Sequence, residues 1–367
     1  MKAYHICYHT DEDGLASAAV IYEAIKIKEK KKQLIFFHRI DYTDNLQNIL
    51  ADIHSGDVLY FVDYSFSNQN NKKYLKDILY NKSNKVVWID HHNTSLDFVN
   101  EISCDDKIDK NYIDMYIDKS FCGAVLCYQY AYTIIFGNSD KKVYNTLPLY
   151  LRYVNSWDLW EFTEKDTEKF IYGVSVEERT PKNVFGKIFN FDHELEFELF
   201  NERYSKKFEK TMVSYVKKCI DDGSIIDTYN NNSYKSFIDK YGFEFFIRDE
   251  LTHNIYSCFA ANRKCNSKLF NSVLNKYDIV VPFAFNGEQY VYSLFKGKTG
   301  AACNDDIDCS YIAKILGTIN NLGGGGHKGA AGFQTTSQIL FKDCTIYINK
   351  SFFNKLFDKD KYLIYID

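Results

Sequence analysis

The sequence predicts an α/β protein of two domains, and three observations support this fold class. The first is length, because a chain of 367 residues exceeds the size at which one hydrophobic core usually stops growing. The second is composition: 46% hydrophobic and 17% aromatic residues can fill two cores, and three prolines argue against a long disordered segment. The third is a regular alternation of apolar, strand-like runs with helical segments in the N-terminal part.

Four strand-like runs and three helical segments make up this alternation. The predicted strands are Ala3–His9, Gln33–Ile40, Asp57–Ser65 and Lys85–His92. The predicted helices are Leu15–Lys31, Asn45–Ile53 and Gln69–Tyr80. Strands separated by helices indicate right-handed crossovers and a parallel sheet that is covered on both faces. Such a sheet binds ligands at the carboxyl ends of its strands.

Acidic and histidine side chains lie at this predicted edge. His9 ends the first strand, Asp63 ends the third, and Asp90, His91 and His92 end the fourth. A random distribution of aspartates and histidines would put some of them at strand starts. The sequence therefore predicts a polar site at the carboxyl edge of the sheet.

The segment YHTDEDGLAS adds Asp11, Glu12 and Asp13 beside His9. Like charges this close repel one another unless a cation compensates them. An alternative is that these residues only cap the following helix, whose N-terminal end favours negative charge. The other polar residues at the same edge favour a metal site.

Asp158 is a further candidate ligand. It lies between Trp157 and Trp160 near the end of a predicted helix, Tyr144–Trp160. Taken alone, it could be a simple helix cap. Together with the acidic cluster, it is a candidate metal ligand.

A long amphipathic helix is predicted to connect the two domains. Its apolar residues recur every three or four positions, and the helix is expected to end at Gly223. The apolar stripe consists of Phe200, Tyr204, Phe208, Met212, Tyr215 and Cys219. The predicted division is therefore 1–190 for the N-terminal domain, 191–223 for the helical connector and 224–367 for a smaller, mixed C-terminal domain.

The C-terminal part combines short strand-like runs, FEFFIRD, VVPFAF and YVYSLFK, with a helix near Ser310–Ile319. It then reaches GGGGHKGAAGF, residues 323–333. Four glycines can form a flexible linker, but here they run directly into His327 and further small residues. This combination suits backbone amides that approach an anionic group at a helix start, with the imidazole as another donor.

Charge and cysteine content limit the partners. A net charge of −4 gives no broad basic surface for a long nucleic acid, so a polyanionic partner would be short. The ten cysteines form no C-x-x-C pair and no signal peptide precedes them, so we expect reduced thiols in a cytoplasmic protein. The most apolar run, 121–136, is too short for a membrane span and carries Gln129, which predicts a buried helix and no membrane association.

The motifs HTDEDG, VDYS, IDHH, SWD and GGGGHKGAAGF occur in the order found in the DHH phosphoesterase family. The sequence resembles the branch that carries a DHH-associated C-terminal domain. Its H-x-D-x-D-G spacing is similar to that of RecJ-like exonucleases and of nano-RNases of the NrnB type. We therefore expect an N-terminal parallel-sheet DHH domain, a smaller substrate-binding domain and an active site in the cleft between the domains.

The resemblance implies a site for two Mn²⁺ ions, with Mg²⁺ or Co²⁺ as possible substitutes. The implied ligands are His9 and Asp11 for one ion, Asp13, His91 and Asp158 for the other, and Asp63 as a bridge. Two such ions activate a water molecule and stabilise an in-line phosphoryl displacement.

Two further side chains are given catalytic roles by the resemblance. Asp90 would orient a metal-binding histidine, and His92 would face the scissile phosphate. Neither role needs a protein nucleophile.

The C-terminal domain would supply contacts to the substrate. The resemblance places His327 and the amides of Gly325 and Gly326 on a substrate phosphate or terminal nucleotide. Arg263 and Lys296 could add contacts, although ordinary solvated surface charge explains them equally well. The family often has an arginine in the stretch where this chain has Lys296, and a lysine is a point charge rather than a two-pronged donor.

The expected function is hydrolysis of short oligonucleotides, chiefly nano-RNA and linear dinucleotides, to mononucleotides. The mildly acidic composition and the lack of room for an added oligonucleotide-binding barrel disfavour processive degradation of long single-stranded DNA. Three alternatives stay open: a cyclic dinucleotide phosphodiesterase, a phosphatase of 3'-phosphoadenosine 5'-phosphate, and a nucleotide-sensing module without hydrolysis. The chain is expected to be a monomer or a homodimer.

Overall fold

The computed structural model describes residues 2–29, 33–136, 147–188, 206–250, 252–297, 307–318 and 323–348. The chain divides into two compact units, Met1–Asp227 and Thr228–Asp367. Both units combine helices with a sheet, so the predicted α/β class is confirmed.

The first unit is built on a five-stranded parallel sheet of order β2-β1-β3-β4-β5. Its strands are β1 (Ala3–His9), β2 (Leu34–Ile40), β3 (Val58–Val62), β4 (Lys85–Asp90) and β5 (Ile113–Ile117). The first four strands lie where they were predicted, but β3 ends at Val62 rather than Ser65 and β4 ends at Asp90 rather than His92. The strand β5 was not predicted, because it is a five-residue edge strand that is mostly half-buried and has no strong apolar pattern.

Helices cover both faces of this sheet. They are α1 (Glu12–Lys28), α2 (Leu46–Ile49), α3 (Gln69–Asn81), α4 (Ser95–Ser103), α5 (Gly123–Phe136), α6 (Leu149–Asp158), α7 (Thr167–Val174), α8 (Pro181–Ile188) and α9 (Lys206–Tyr241). One core contains residues of α1, α5 and α6, and the other contains residues of α2, α3 and α4. Neighbouring residues of β1 alternate between these cores, as a pleated strand requires: Ile6 belongs to the first and Cys7 to the second.

The predicted helix Asn45–Ile53 is wrong in length, because α2 is a single turn. Asn45 caps this turn through its side chain, which accepts a hydrogen bond from the backbone N–H of Gln47 at 3.0 Å. Leu46 and Leu50 are both buried. Because they are four residues apart, one turn is enough to place both in the core.

The prediction that the long helix ends at Gly223 is also wrong, because α9 continues to Tyr241. Gly223 does not cap the helix. A Cβ atom there would lie 1.7 Å from the carbonyl oxygen of Lys169 in α7. Glycine therefore lets α7 and α9 pack with their backbones in contact, a tertiary requirement that the local sequence does not reveal.

The predicted apolar stripe of α9 is confirmed where the side chains are described. Met212, Tyr215 and Cys219 are buried. Phe200, Tyr204 and the side chain of Phe208 lie outside the described residues. The apolar run 121–136 forms α5, and the first two turns of this helix are buried, as predicted.

The second unit contains a mixed sheet of order β10-β11-β9-β8-β7-β6-β12 in the described residues. Its elements are β6 (Phe243–Asp249), β7 (Ile255–Asn262), β8 (Ile279–Phe285), β9 (Tyr290–Lys296), α10 (Cys309–Thr318), β10 (Gly324–Gly326), β11 (Ala330–Thr335) and β12 (Thr345–Ile348). The pairs β7–β8 and β6–β12 are parallel and the others are antiparallel. The predicted mixed character of the C-terminal part is confirmed.

The glycine-rich segment does not begin a helix, so that prediction is wrong. It forms the hairpin β10–β11, in which the N–H of His327 donates to the carbonyl of Ala330 at 2.7 Å. A Cβ atom at Gly324 would lie 2.1 Å from the carbonyl oxygen of Ala313. The glycine therefore allows the hairpin to lie directly against α10.

The cysteines of the described residues are free thiols. Within the described ranges, no helix combines the length and the apolar character that a bilayer span requires.

Candidate metal centre

The predicted polar side chains converge at the carboxyl edge of the first sheet. His9 is the last residue of β1, Asp63 follows β3, Asp90 ends β4 and His91 follows it. The backbone of Asp63 is left-handed, with φ 52°, a conformation that aspartate adopts more readily than most residues. Its N–H donates to the carbonyl of Ile89 at 2.9 Å, which fixes the turn out of β3.

Three groups of side chains could each hold a cation, and in each the ligand atoms lie within 4.8 Å of one another. One group is Asp63, Asp90, His91 and His92. The other two supply the six predicted ligands: His9, Asp11 and Asp63 in one, and Asp13, His91 and Asp158 in the other. Asp63 turns Oδ2 toward His9 Nδ1 at 3.9 Å and Oδ1 toward His91 Nε2 at 3.3 Å. Its two oxygens therefore face different groups. We call these six residues the metal centre.

Contacts within each group are short. His9 Nδ1 lies 3.0 Å from Asp11 Oδ2. His91 Nε2 lies 3.3 Å from Asp158 Oδ2 and 3.8 Å from Asp13 Oδ2. A single nitrogen that faces carboxylates on three chain segments is the arrangement of a cation ligand rather than of an ordinary ion pair.

Four buried atoms of the metal centre lack a hydrogen-bond partner among the described residues. They are both carboxylate oxygens of Asp63, Nε2 of His91 and Oδ2 of Asp158. Burying such atoms unpaired costs about 1–3 kcal/mol each, and more for charged groups. A divalent cation would satisfy all four, so the residues present fit a metal.

The pKa values of residues in the metal centre also reflect the cost of burying these charged groups close together. Burial, followed by the charge of Asp13, raises the pKa of Asp158 to about 9. Burial and the charges of Asp13, Asp11 and Asp158 raise the pKa of Asp63 well above its ordinary value. Burial lowers the pKa of His91, which favours the neutral imidazole that binds metals.

The start of α5 holds Asp13 in place. The backbone N–H groups of Gly123 and Ala124 donate to its two carboxylate oxygens at 2.6 and 2.8 Å. A Cβ atom at Gly123 would lie 2.7 Å from the Cβ of Asp63 and 3.0 Å from Asp13 Oδ2. Only glycine therefore lets this helix end approach both carboxylates.

Asp11 both caps a helix and belongs to the metal centre. Its Oδ1 accepts a hydrogen bond from the N–H of Gly14 at 3.0 Å, which makes it the N-cap of α1. Its Oδ2 faces His9. The two interpretations of the acidic segment that the sequence left open are thus compatible.

His92 lies beside the metal centre and is held at both ring nitrogens. Its Nδ1 lies 2.7 Å from Asp90 Oδ1, and its Nε2 lies 3.2 Å from the hydroxyl of Tyr42. Ser95 donates to the other oxygen of Asp90. Burial acts to lower the pKa of His92, but the hydrogen bond and charge of Asp90 outweigh it, so the pKa is raised.

The resemblance implies that Asp90 orients a metal-binding histidine, and in the structure Asp90 is hydrogen-bonded to His92. His91, which belongs to the metal centre, points elsewhere. Residues two apart at a strand end project to the same side, and adjacent ones project to opposite sides, which explains the pairing.

Tyr42, Arg179 and Tyr150 lie near the metal centre or contact its neighbour Glu12, and the sequence did not identify them. Tyr42 follows β2 at the same carboxyl edge, and this position could have identified it. Glu12, buried at 5% exposure, forms an ion pair with Arg179 and accepts a hydrogen bond from Tyr150. Arg179 and Tyr150 come from distant segments, and no local pattern marks them.

The predicted substrate residues all lie in the second unit. Gly325, Gly326 and the exposed His327 are in the β10–β11 hairpin, and the N–H of Lys296 donates to Gly329 in the same hairpin at 3.0 Å. Arg263 lies elsewhere, because it follows β7.

Arg263 and Lys296 are at opposite ends of β8. The neighbour of Arg263 in β7, Asn262, pairs with Phe283, whereas Lys296 pairs with Ile279. The guanidinium of Arg263 instead lies 5.1 Å from the ring centres of two aromatic residues of α9, Tyr234 and Phe237.

No protein-family model matches the sequence, and no curated protein matches it. Among solved structures, the chain is similar to RecJ of Thermus thermophilus in complex with Mn²⁺, at 12% identity and TM-score 0.45, over 95% of this chain and 54% of RecJ. It is also similar to CDC45 from Entamoeba histolytica, at 9% identity and TM-score 0.42, over 91% and 92% of the two chains.

A third similar structure is the pGpG-specific phosphodiesterase PggH from Vibrio cholerae, at 11% identity and TM-score 0.40, over 97% of this chain and 95% of PggH. At these identities and TM-scores, the similarities say nothing about a substrate, which depends on the side chains of this chain's own site. The sequence motifs resemble those of RecJ-like exonucleases, and RecJ is among the structures similar to this chain.

Proposed function

We propose that this protein is a metal-dependent phosphodiesterase that hydrolyses short oligonucleotides, chiefly nano-RNA and linear dinucleotides, to mononucleotides. The observation that carries the proposal is the position of Asp63. Its two buried oxygens face His9 on one side and His91 on the other, and neither has a hydrogen-bond partner among the described residues. A carboxylate that bridges two cations has this environment, and two-metal sites are typical of phosphoryl hydrolysis.

The metal centre would hold two divalent cations, one in each group. Four carboxylates with two imidazoles, and no thiolate, suit Mn²⁺, with Mg²⁺ or Co²⁺ as possible substitutes. When bound, the two cations lower the pKa of a water molecule and neutralise charge on the phosphate.

The chain's own residues then position the substrate and move one proton. In hydrolysis, a P–O bond to water forms and the P–O bond to the departing nucleoside breaks, so the departing oxygen needs a proton. His92 would donate a hydrogen bond or proton at the phosphate from Nε2, in place of its contact with Tyr42. The hydrogen bond between His92 Nδ1 and Asp90, and the raised pKa of His92, support this role.

The β10–β11 hairpin of the second unit is proposed to bind a substrate phosphate or terminal nucleotide. Gly325, Gly326 and His327 are all in this hairpin, and Lys296 is hydrogen-bonded to it. Arg263 stacks on aromatic rings of α9, so any contact it makes with substrate would be separate from the hairpin. The predicted cytoplasmic location is also part of this proposal.

The test is a panel of substrates with Mn²⁺. It comprises a linear dinucleotide, a pentanucleotide labelled separately at each end, a cyclic dinucleotide, 3'-phosphoadenosine 5'-phosphate and pyrophosphate. We expect the linear compounds to be consumed fastest. If the cyclic dinucleotide is opened faster, the protein is a cyclic dinucleotide phosphodiesterase, and if only the last two compounds are consumed, the oligonucleotide proposal fails.

Asp63→Asn provides the inactive control for this panel. Asparagine keeps the size of the side chain and tolerates the left-handed backbone, so the fold should persist. The exposed Asp221→Asn makes the same chemical change away from the metal centre and should keep full activity. Hydrolysis by Asp63→Asn at the wild-type rate would contradict the proposal. Wild-type protein that binds nucleotides but hydrolyses none of the panel would instead be a sensing module.

A further inference from the structure

Three aromatic rings lie directly beside the metal centre in the chain. Trp157 precedes Asp158, and Trp160 and Phe162 follow it. The ring centres of Trp157 and Trp160 are 4.9 Å apart, and Phe162 meets both rings edge to face, at 6.1 and 4.9 Å. We call these three residues the aromatic platform.

The outer two rings of the aromatic platform are exposed. Trp160 is 51% exposed and Phe162 is 42% exposed, although both side chains are large and apolar. The remaining tryptophan of the chain, Trp88, is fully buried. Burial in the core therefore does not account for the two rings.

The backbone beneath these rings is unusual. Trp160 and Phe162 have φ values of 58° and 51°, in the left-handed region that bulky residues rarely adopt. Glycine would meet this requirement at either position without strain. Strained residues of this kind cluster at functional sites, where the surrounding structure holds them in place.

Ser156 holds the strained turn. Its carbonyl accepts hydrogen bonds from the N–H groups of Glu161 and Phe162 at 3.2 and 3.1 Å. Its buried hydroxyl accepts from the N–H of Glu164 at 3.1 Å and lies 2.9 Å from the hydroxyl of Thr167. These hydrogen bonds hold the turn in which Trp160 and Phe162 are partly exposed.

The position of the aromatic platform limits what it can bind. The Cα atoms of Asp158 and Trp160 are at most about 7.6 Å apart, because consecutive Cα atoms are separated by about 3.8 Å. A molecule with a phosphate at the metal centre would have its adjoining part near the segment that carries these rings. In a nucleotide that part carries a flat nucleobase, and bases stack on exposed aromatic rings in many single-strand-binding proteins.

We propose that the aromatic platform stacks on a nucleobase of the substrate while the phosphodiester lies at the metal centre. This inference rests on the proposed function and adds the part of the substrate that is recognised. Recognition by stacking tolerates different bases, because every base has a flat face. The substrate class is therefore a nucleotide with an unpaired base rather than a phosphate ester in general.

The test is nucleotide binding measured by tryptophan fluorescence in the presence of Mn²⁺. Since Trp88 is buried, a base that quenches the fluorescence on contact must do so at Trp157 or Trp160. The probe is AMP, and ribose 5-phosphate is the matched compound without a base. We expect AMP to quench the fluorescence and ribose 5-phosphate not to do so.

Substitutions at Trp160 and Phe162 distinguish the effect of losing the ring from the effect of the left-handed backbone. Trp160→Gly removes the ring and accepts the left-handed conformation, so it should resist urea at least as well as wild type. Its affinity for AMP should fall about 5- to 150-fold, the range for loss of one stacked base. Trp160→Phe keeps a ring and should stay within a few-fold of wild type, and Phe162→Gly is a second ring-removing variant. Phe36→Ala removes an equally exposed ring on β2 and should leave AMP binding unchanged.

Wild-type affinity for AMP in both glycine variants would overturn the inference. The two proposals fail separately. If dinucleotides are hydrolysed but AMP binding does not depend on Trp160, the proposed function stands and the platform does not. If AMP binding depends on Trp160 but no phosphodiester in the panel is hydrolysed, the proposed function fails and the platform remains a nucleotide site.

Discussion

Asp63 shows how a single residue can combine several structural demands. Its left-handed backbone turns the chain out of β3, and its carboxylate lies between two histidines with other acidic groups nearby. Without a cation, these groups repel one another, and the pKa of Asp63 rises well above its ordinary value because of burial and this repulsion. The side chain therefore destabilises the metal-free fold, and a bound cation would reverse that effect.

His92 should contribute to catalysis without contributing to metal binding. His92→Gln removes the group that would donate a proton, so we expect kcat to fall by about 10²- to 10⁴-fold. Tyr42→Phe removes only the hydroxyl that contacts His92 Nε2 and should cause a smaller loss. Kinetics with a linear dinucleotide, with Mn²⁺ content measured in parallel, test both statements. Loss of bound Mn²⁺ in His92→Gln would show that this residue is a ligand instead.

The first turn of α1 is tied to the rest of the first unit by an ion pair. Glu12 is buried and contacts Arg179, whose side chain is 27% exposed. Breaking a buried pair leaves an uncompensated charge, so Arg179→Ala should lower the free energy of unfolding by about 3–5 kcal/mol. Arg152→Ala breaks a pair with Glu164 in which the arginine is 41% exposed, and it should cost about 0–1 kcal/mol.

Urea unfolding followed by tryptophan fluorescence checks this comparison, because all three tryptophans are in the first unit. Glu12→Gln combined with Arg179→Gln removes both charges and should recover part of the loss. Equal costs for Arg179→Ala and Arg152→Ala would contradict the role of the buried pair.

Within the first sheet, β1 and β2 hold two histidines in contact. His5 Nδ1 lies 2.9 Å from His38 Nε2, and His5 Nε2 lies 3.3 Å from Asp57. Burial, followed by the charge of His5, lowers the pKa of His38 to about 4. Between the ordinary value of 6.5 and about 4, the unfolded chain therefore binds a proton that the folded chain does not.

The first unit should consequently lose stability as the pH falls through this interval. His38→Gln removes the group responsible and should reduce the dependence of the unfolding midpoint on pH between about 6.5 and 4. His54→Gln changes an exposed histidine in the same unit and serves as the control. An unchanged pH dependence in His38→Gln would show that His38 is protonated in the folded protein.

Much of the first unit could be predicted because its physics is local. Buried parallel strands have continuous apolar runs, and their carboxyl ends share one edge, so the sequence alone predicts that His9, Asp63 and His91 lie together. The ends of helices were less predictable. Gly223 lies inside α9 and not at its end, because the glycine is needed where α7 packs against the helix. That contact is visible only in three dimensions.

The fold of the second unit was harder to predict from the sequence, also because three-dimensional contacts determine it. A strand of glycines has no side-chain alternation, so β10 could not be distinguished from a linker or a helix start. In the first unit, Arg179 was not predicted as a site residue, because nothing near it in the sequence indicates its ion pair with Glu12. Such contacts between distant segments are set by packing and not by local pattern.

The metal centre lies in the first unit and combines residues of β1, the start of α1, the ends of β3 and β4, and the end of α6. The most direct test of this account is the number of Mn²⁺ ions bound per chain, measured by equilibrium dialysis of wild type, Asp63→Asn and Asp221→Asn. We predict about two tightly bound ions for wild type and for Asp221→Asn, and fewer for Asp63→Asn because both groups lose their shared ligand. Wild-type protein that binds no Mn²⁺, or Asp63→Asn that binds two ions with wild-type affinity, would contradict it.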